Sequence, residues 1–212
     1  MIAIIDYGMG NSSSIRNMIK KANGSSIITN KYEEIKQSTA IILPGVGSFD
    51  NGMKKIKEMG IIDLLNDKVL KDKTPFLGIC LGMQLLFETS EEGELNGLGW
   101  LKGKVAKFDF STLSDSKLLN IPHMGWNIVN PTNNDSIFSN LTNEARFYFV
   151  HSYHVNCKNI SDVIATSKHG YDFTCSIRRD NIWGAQFHPE KSHRFGIQFF
   201  KNFLKEINYV KD

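Results

Sequence analysis

The chain has 212 residues, a formal net charge of +3 and 22% charged residues, a size at which one domain buries roughly 70% of its unfolded surface without disulfide bonds. We therefore expect a single domain over residues 1–212, and its three cysteines, which form no CxxC pair, are typical of a protein of the reducing cytoplasm. Basic residues are spread out rather than interleaved with aromatic side chains, and no apolar run is long enough to cross a membrane, so the composition excludes nucleic acid and the membrane as partners.

Residues 1–90 alternate between predicted strands and predicted helices. Short apolar runs predict buried strands at 2–5, 39–43 and 75–79 and a short strand at 26–29. Helical spacing of apolar residues predicts helices at 14–22, 49–57 and 61–70. Strands that alternate with helices form a parallel sheet covered on both faces, and the functional site of such a sheet lies at the carboxyl ends of its strands.

After Gly99 the pattern changes to short β-rich segments broken by polar turns. These segments predict antiparallel strands and edge extensions of the sheet, at 105–108, 126–129, 147–150, 163–167 and 174–177. A buried strand at 182–187 and a closing helix at 192–207 follow. The predicted fold class is α/β, with a doubly wound, mostly parallel sheet and antiparallel extension strands.

The segment Gly78-Ile79-Cys80-Leu81-Gly82 connects a predicted strand to a helix-like run. A reactive side chain at the apex of a sharp strand-to-helix turn is called a nucleophile elbow, and its flanking glycines allow the backbone to approach closely. The adjoining helix N-terminus favours a thiolate. Most free cysteines are simply small buried apolar residues, and we expect this of Cys157 and Cys175, which lack flanking glycines. Cys80 is therefore the candidate nucleophile.

A candidate base and a candidate orienting carboxylate occur together in His188-Pro189-Glu190. A thiol that attacks an unactivated carbonyl needs a base, a group that holds the base, and donors for the oxyanion. His188, at a strand end, is the candidate base. Glu190 is spaced to hold the second ring nitrogen, as the acid does in Ser-His-Asp hydrolases.

Two backbone segments are candidates for the oxyanion donors. The N–H of Leu81 directly follows the candidate nucleophile, as in other nucleophile elbows. The turn Pro44-Gly45-Val46-Gly47 ends a neighbouring strand, and its glycines allow the backbone to approach a substrate. An ordinary loop after a strand has the same turn chemistry. Val46, Gly47 and Leu81 are therefore candidate oxyanion-hole residues.

These motifs resemble those of the class I (triad) glutamine amidotransferases, whose fold is flavodoxin-like. Two further segments resemble more specifically the glutaminase subunits of imidazole glycerol phosphate synthases, namely Asp6-Tyr7-Gly8-Met9-Gly10-Asn11 and Pro122-His123-Met124-Gly125-Trp126-Asn127. The resemblance extends nearly from one end of the chain to the other.

The resemblance implies a reaction. Cys80 attacks the side-chain amide of glutamine, and water later hydrolyses the resulting glutamyl thioester. His188 passes the thiol proton to the departing ammonia, while Glu190 holds the imidazole. No metal and no cofactor are implied.

The resemblance also implies binding partners. Glutamine is expected near Gly47, Gln84, His151 and Ser152. Ammonia is expected to pass to a (β/α)8-barrel synthase subunit of a heterodimer, in a step of histidine synthesis. The residues expected at that interface are Asn11, Trp126 and Asn127.

Several alternatives stay open at this point. Paralogous subunits supply ammonia to sugar-modifying enzymes of surface polysaccharides, and Ser12-Ser13-Ser14 departs from the Leu or Ile usual in the family on the partner-facing side. A free-standing γ-glutamyl cysteine hydrolase and a catalytically silent binding module have the same fold. His151 and His154 suggest a metal pair, but no Cys or acid cluster completes a zinc set.

Overall fold

The computed structural model describes residues 1–113, 119–132, 135–142 and 144–209. Its strands are β1 Ile2–Ile5, β2 Ser26–Thr29, β3 Ala40–Gly45, β4 Phe76–Cys80, β5 Thr89–Ser90, β6 Gly103–Lys107, β7 His123–Ile128, β8 Asn130–Pro131, β9 Arg146–His151, β10 Tyr153–Cys157, β11 Val163–His169, β12 Tyr171–Arg179 and β13 Ile182–Ala185. Its α-helices are α1 Ser12–Lys21, α2 Tyr32–Gln37, α3 Phe49–Glu58, α4 Ile62–Asn66, α5 Leu81–Gln84 and α6 His193–Glu206.

Among the described residues, an eleven-stranded mixed sheet forms the centre of the molecule, with the order β2-β1-β3-β4-β13-β12-β10-β6-β5; β11 pairs with β12, and β8 pairs with β11. The five strands from β2 to β13 are parallel, and β12, β10 and β6 follow as antiparallel neighbours. The predicted fold class, a doubly wound and mostly parallel sheet with antiparallel extensions, is confirmed.

Alternate residues of the parallel strands face two separate cores. Ile4 and Ile42 pack with apolar residues of α1 and α6 on one face. Ile5 and Ile41 pack with apolar residues of α3 on the other face. Because successive strand residues point to opposite sides, an uninterrupted apolar run is the pattern that a strand buried on both faces requires. Among the described residues, no helix is long and apolar enough to span a membrane.

Helix α1 begins two residues before the predicted start at Ser14. The side chain of Asn11 accepts a hydrogen bond from the backbone N–H of Ser14, at 3.1 Å, and caps the helix. Its apolar positions, Ile15, Met18 and Ile19, are buried at the spacing of a single helical face. The cap fixes where the loop after β1 ends, and this loop lies next to the candidate site.

Several boundaries differ from the prediction. The helix predicted at 61–70 is α-helical only to Asn66 and continues as a π-helical turn over Asp67–Lys71. Strand β3 does not stop at Leu43, since Pro44 and Gly45 remain in register with β4. Helix α2 and the short strand β10 were not predicted. Helix α2 has a single buried residue, Ile35, and therefore shows no apolar periodicity.

The segments predicted at 126–129 and 147–150 are strands, but they do not extend the main sheet. As β7 and β9 they pair with each other in a second, two-stranded sheet. An isolated bridge between Tyr148 and His188 joins β9 to the end of the main sheet. This small sheet brings His151 and Ser152 to the carboxyl edge of the parallel strands.

Candidate active site

Cys80 lies at the apex of the predicted elbow, as the last residue of β4 and the residue before α5. Its backbone has φ 54° and ψ −111°, a conformation that costs a non-glycine residue free energy and is typical of functional turns. A Cβ at Gly82 would lie 1.9 Å from the carbonyl oxygen of Leu43, and one at Gly78 would lie 2.6 Å from that of Gly82. The expected need for glycine on both sides is therefore confirmed, although α5 is a helix of only four residues.

The two strands beside β4 end next to Cys80. Gly45 of β3 is in register with Cys80, and Ala185 of β13 is in register with Ile79. His188 follows the end of β13 by three residues, so the imidazole reaches the same edge of the sheet as the thiol. Parallel strands always bring their carboxyl ends together, which is why distant segments meet here.

His188 and Glu190 form a buried pair. Nδ1 of His188 donates to Oε1 of Glu190 at 2.8 Å, and the two side chains are 2% and 3% exposed. The backbone around them is also fixed, because the N–H of His188 donates to the carbonyl of Tyr148 at 2.8 Å and the hydroxyl of Ser192 donates to the carbonyl of His188 at 2.6 Å. The imidazole is thus held with its Nε2 directed away from the carboxylate.

The environment of His188 favours the imidazolium. Burial disfavours the charged ring, but the charge and hydrogen bonding of the Cys80 sulfur, followed by the contact with Glu190, raise the pKa of His188 to about 10. Nε2 is buried and makes no fully formed hydrogen bond within the described residues. The charge and hydrogen bonding of the Cys80 sulfur are the largest influences in favour of the protonated ring, and catalytic hydrogen bonds are often long without substrate.

A cavity of about 460 Å³ opens at the Cys80 thiol. The described residues that line it are Val46, Gly47, Ser48, Cys80, Leu81, Gln84, Glu92, Pro122, Val150, His151, Ser152 and Tyr153. This set contains every residue that was predicted for the oxyanion hole or for substrate binding. His188 and Glu190 lie behind the thiol, in a narrow crevice shared with Gly10 and Asn11.

Tyr7, which was not predicted as a site residue, supports the turn after β3. Its hydroxyl donates to the carbonyl of Pro44 at 2.6 Å. Burial, followed by the charge of Cys80, raises the pKa of Tyr7 far above its ordinary value, so the phenol stays a neutral donor. The segment Asp6–Asn11 was singled out for its resemblance alone, and no signal in the sequence linked Tyr7 to Pro44.

Three buried histidines, His123, His151 and His154, lie close together, and His151 lines the cavity. Nδ1 of His151 donates to the carbonyl of Tyr153 at 2.8 Å, so its Nε2 accepts from Nδ1 of His123 at 3.0 Å. Nε2 of His154 lies 3.0 Å from the hydroxyl of Tyr171. Among the described residues, no group of three or more His, Cys, Asp and Glu side chains is placed to hold a metal ion.

These histidines are expected to make the fold acid-sensitive. Burial lowers the pKa of His123 to about 4 and also lowers the pKa of His151 and His154. Between the ordinary value of about 6.5 and these lowered values the unfolded chain binds more protons than the folded one, so stability falls as pH decreases through that range. Urea unfolding at pH 7, 5.5 and 4.5 measures this loss.

The control for this prediction is the unmodified protein. His123→Gln should reduce the slope of stability against pH relative to it, because the variant lacks one of the groups whose pKa is lowered. Equal stability at pH 7 and 4.5 in the unmodified protein would contradict the prediction.

The predicted interface residues occupy different environments. Trp126 is 46% exposed and stacks on His193, with ring centroids 5.3 Å apart. Asn11 caps α1 beside the crevice. The amide of Asn127 is directed inward, where it donates to Nε2 of His123 at 3.0 Å and to the carbonyl of Lys168 at 2.8 Å.

The other two cysteines are not among the residues that line the cavity. Burial raises the pKa of Cys157 to about 12 and that of Cys175 well above its ordinary value. Both thiols are therefore protonated at neutral pH, which supports the expectation that they are inert.

A cysteine on a strand-to-helix elbow of a doubly wound sheet, with a histidine–carboxylate pair behind it, is typical of enzymes that cleave amides through a thiol nucleophile. Comparison with known protein families is more specific. The model of the family "Glutamine amidotransferase class-I" matches residues 3–207. The chain belongs to this family.

Individual relatives agree with this assignment. The chain is 52% identical to "Imidazole glycerol phosphate synthase subunit HisH 2" of Methanococcus maripaludis, over 97% of the chain and 100% of the relative. It is 48% identical to "Imidazole glycerol phosphate synthase subunit HisH" of Leptospira interrogans, over 96% and 98% of the two chains. Among solved structures, PurLQS from Thermotoga maritima has the same fold, with a TM-score of 0.70 at 19% identity over 99% of this chain and 98% of the other.

Proposed function

We propose that this chain is the glutaminase subunit of an imidazole glycerol phosphate synthase. It hydrolyses glutamine to glutamate and ammonia, and it supplies the ammonia to a (β/α)8-barrel partner in a heterodimer of histidine synthesis. The observation that carries the proposal is the meeting of Cys80, His188 and Glu190 beside a cavity, in a chain that matches relatives of that name along its whole length.

The proposed chemistry follows from the arrangement of the three side chains. The sulfur of Cys80 attacks the carboxamide carbon of glutamine, and the C–N bond breaks after His188 has given its proton to the leaving nitrogen. Water then attacks the thioester, the C–S bond breaks, and the thiol recovers its proton. Glu190 keeps the ring oriented and stabilises the imidazolium.

The proposed oxyanion hole consists of the backbone at Leu81 and at Val46 and Gly47. Leu81 follows the nucleophile directly, while Gly47, at φ +102°, adopts a conformation that glycine tolerates. Val46 is 45% exposed. We infer that this second half of the oxyanion hole is completed only when the partner covers the segment.

The cavity suits the two ends of a glutamine molecule. Cys80 and Leu81 lie at the position of the reacting amide, and Gln84, His151 and Ser152 are the proposed binding residues. Glu92 is the carboxylate among the described lining residues, and one of its oxygens accepts a hydrogen bond from the backbone N–H of Phe49 at 2.8 Å. A half-buried negative charge at this place complements the α-ammonium group of glutamine.

The proposed partner surface surrounds Asn11 and Trp126. Neutral ammonia is the nucleophile for the second reaction, and in bulk water most of it would be protonated, so delivery across a closed interface preserves it. Within the proposed surface, Ser12 is buried, Ser14 is half-buried and Ser13 is exposed, so Ser13 is the most accessible member of the unusual serine run. We also propose that the protein is cytoplasmic, because its cysteines are free thiols. We propose that the chain forms one domain.

The test is glutamate release by the chain alone and with its barrel subunit and acceptor nucleotide. We expect weak hydrolysis by the isolated chain and a stimulation of about 10²- to 10³-fold in the complex, the effect that one oxyanion-hole donor has on kcat. The physical reason is that Val46, in the second half of the proposed oxyanion hole, is 45% exposed and is covered only when the partner binds.

The acceptor is tested in the same assay by measuring the aminated product. Product from the nucleotide of histidine synthesis supports the proposal, whereas amination of a surface-polysaccharide sugar with its own synthase would identify the paralogous subunit. Full glutaminase activity of the isolated chain would instead identify a free-standing hydrolase.

A further inference from the structure

Gln186 connects the Cys80 sulfur to the wall of the cavity. It is 0% exposed and lies directly after β13, where its backbone N–H donates to the carbonyl of Cys175 at 2.9 Å. Its Nε2 lies 3.6 Å from the sulfur of Cys80, and its Oε1 accepts from Nε2 of Gln84 at 3.0 Å. A fully buried amide in contact with a candidate nucleophile has more than a packing role.

The orientation of this amide is fixed by a backbone carbonyl. Nε2 of Gln84 also donates to the carbonyl oxygen of Tyr153, at 3.0 Å. A carbonyl oxygen only accepts, so the end of Gln84 that faces it must be the NH₂ group. Both hydrogens of that group are then directed at acceptors, and the second acceptor must be Oε1 of Gln186. The end of Gln186 that faces the sulfur is therefore its N–H donor.

We propose that Gln186 is a further catalytic residue, whose amide N–H donates to the Cys80 sulfur and stabilises the thiolate. The inference rests on the proposed role of Cys80 as nucleophile. A hydrogen bond to an anion is roughly twice as strong as one between neutral groups, so this donor favours the thiolate over the thiol.

The donor from Gln186 complements the one from His188. The imidazolium loses its proton to the departing ammonia during the reaction, whereas a carboxamide keeps its hydrogens at every step. When the thioester is hydrolysed, the sulfur leaves as an anion, and the N–H of Gln186 is already in place to receive it. Gln186 therefore stabilises the same atom as nucleophile and as leaving group.

The experiment measures the pH dependence of Cys80 alkylation by iodoacetamide in the full chain, with mass spectrometry of the Cys80 peptide as the readout. Gln186→Met and Gln186→Leu both remove the donor at nearly constant volume and add no charge beside the sulfur. In both variants we expect the pH of half-maximal alkylation to rise by about one unit, because the thiolate loses one of its hydrogen-bond donors. The matched control is Gln198→Met on α6, where Gln198 donates to Asn202 at 2.8 Å.

An unchanged pH profile in a folded Gln186 variant, with melting temperature checked by circular dichroism, would overturn the proposal. If neither variant folds, the test uses the unmodified chain, in which the side-chain amide resonances of Gln186 should move as Cys80 ionises while those of Gln198 should not. Gln186 amide resonances whose chemical shifts stay constant while Cys80 ionises would also overturn the proposal. Alkylation needs no glutamine, so its outcome is separate from that of the glutaminase assay.

Discussion

The Cys80→Ala variant is expected to release no measurable glutamate from glutamine, a loss of about a million-fold, as for the removal of other covalent nucleophiles. The reason is that the proposed thioester cannot form without the sulfur. In the complex with the barrel subunit, the same variant should still form product from added ammonium salts, fastest at alkaline pH where more of the ammonia is neutral. Coupled glutaminase and synthase assays on one preparation measure both activities.

Cys157→Ala is the matched control for this substitution. Its thiol is protonated at neutral pH and does not line the cavity, so glutaminase activity should be within about twofold of the unmodified chain. Glutamate release by Cys80→Ala would show that another group is the nucleophile. If Cys80→Ala also lost ammonium-dependent synthesis, the substitution would have disrupted the interface with the barrel subunit and not only the glutaminase reaction.

The sequence was most informative where a few neighbouring residues determine a feature. Glycines at 78 and 82 predict a close backbone approach around Cys80, and a Cβ at either position would in fact collide with backbone. His188 and Glu190 are two residues apart, so their contact follows from local geometry. The parallel strands were predictable for a similar reason, since strands buried on both faces are short apolar runs.

Features that depend on distant residues were not predictable. The contacts of Gln186 join positions more than one hundred apart in the chain, to Gln84 and to Cys80. Tyr7 contacts Pro44 across two strands. Neither residue has a neighbour that signals its role, and a glutamine or tyrosine in an apolar segment is usually interpreted as packing.

The second sheet shows the same limit at the level of strands. β7 and β9 have the composition of ordinary extension strands, and their residues do not indicate which strand each one pairs with. Their pairing with each other has a consequence for function, because it places the exposed Trp126 on the same small sheet as His151 of the cavity wall. A partner that contacts β7 therefore contacts a unit that also contributes to the proposed glutamine site.

Glu190→Gln is expected to lower kcat for glutamine by about 10⁴-fold, as the equivalent loss of charge does in serine hydrolases. His188→Ala should lower kcat as much as the loss of the nucleophile does. The amide preserves the size of the side chain but removes one of the charges that raise the pKa of His188. The imidazolium then loses its proton at lower pH, so the alkaline limb of the kcat/KM profile should move to lower pH. Steady-state kinetics between pH 6 and 10 on the complex measure this shift. If kcat fell but the alkaline limb did not move, Glu190 would act only by orienting the ring. If kcat were unchanged, Glu190 would have no role in catalysis.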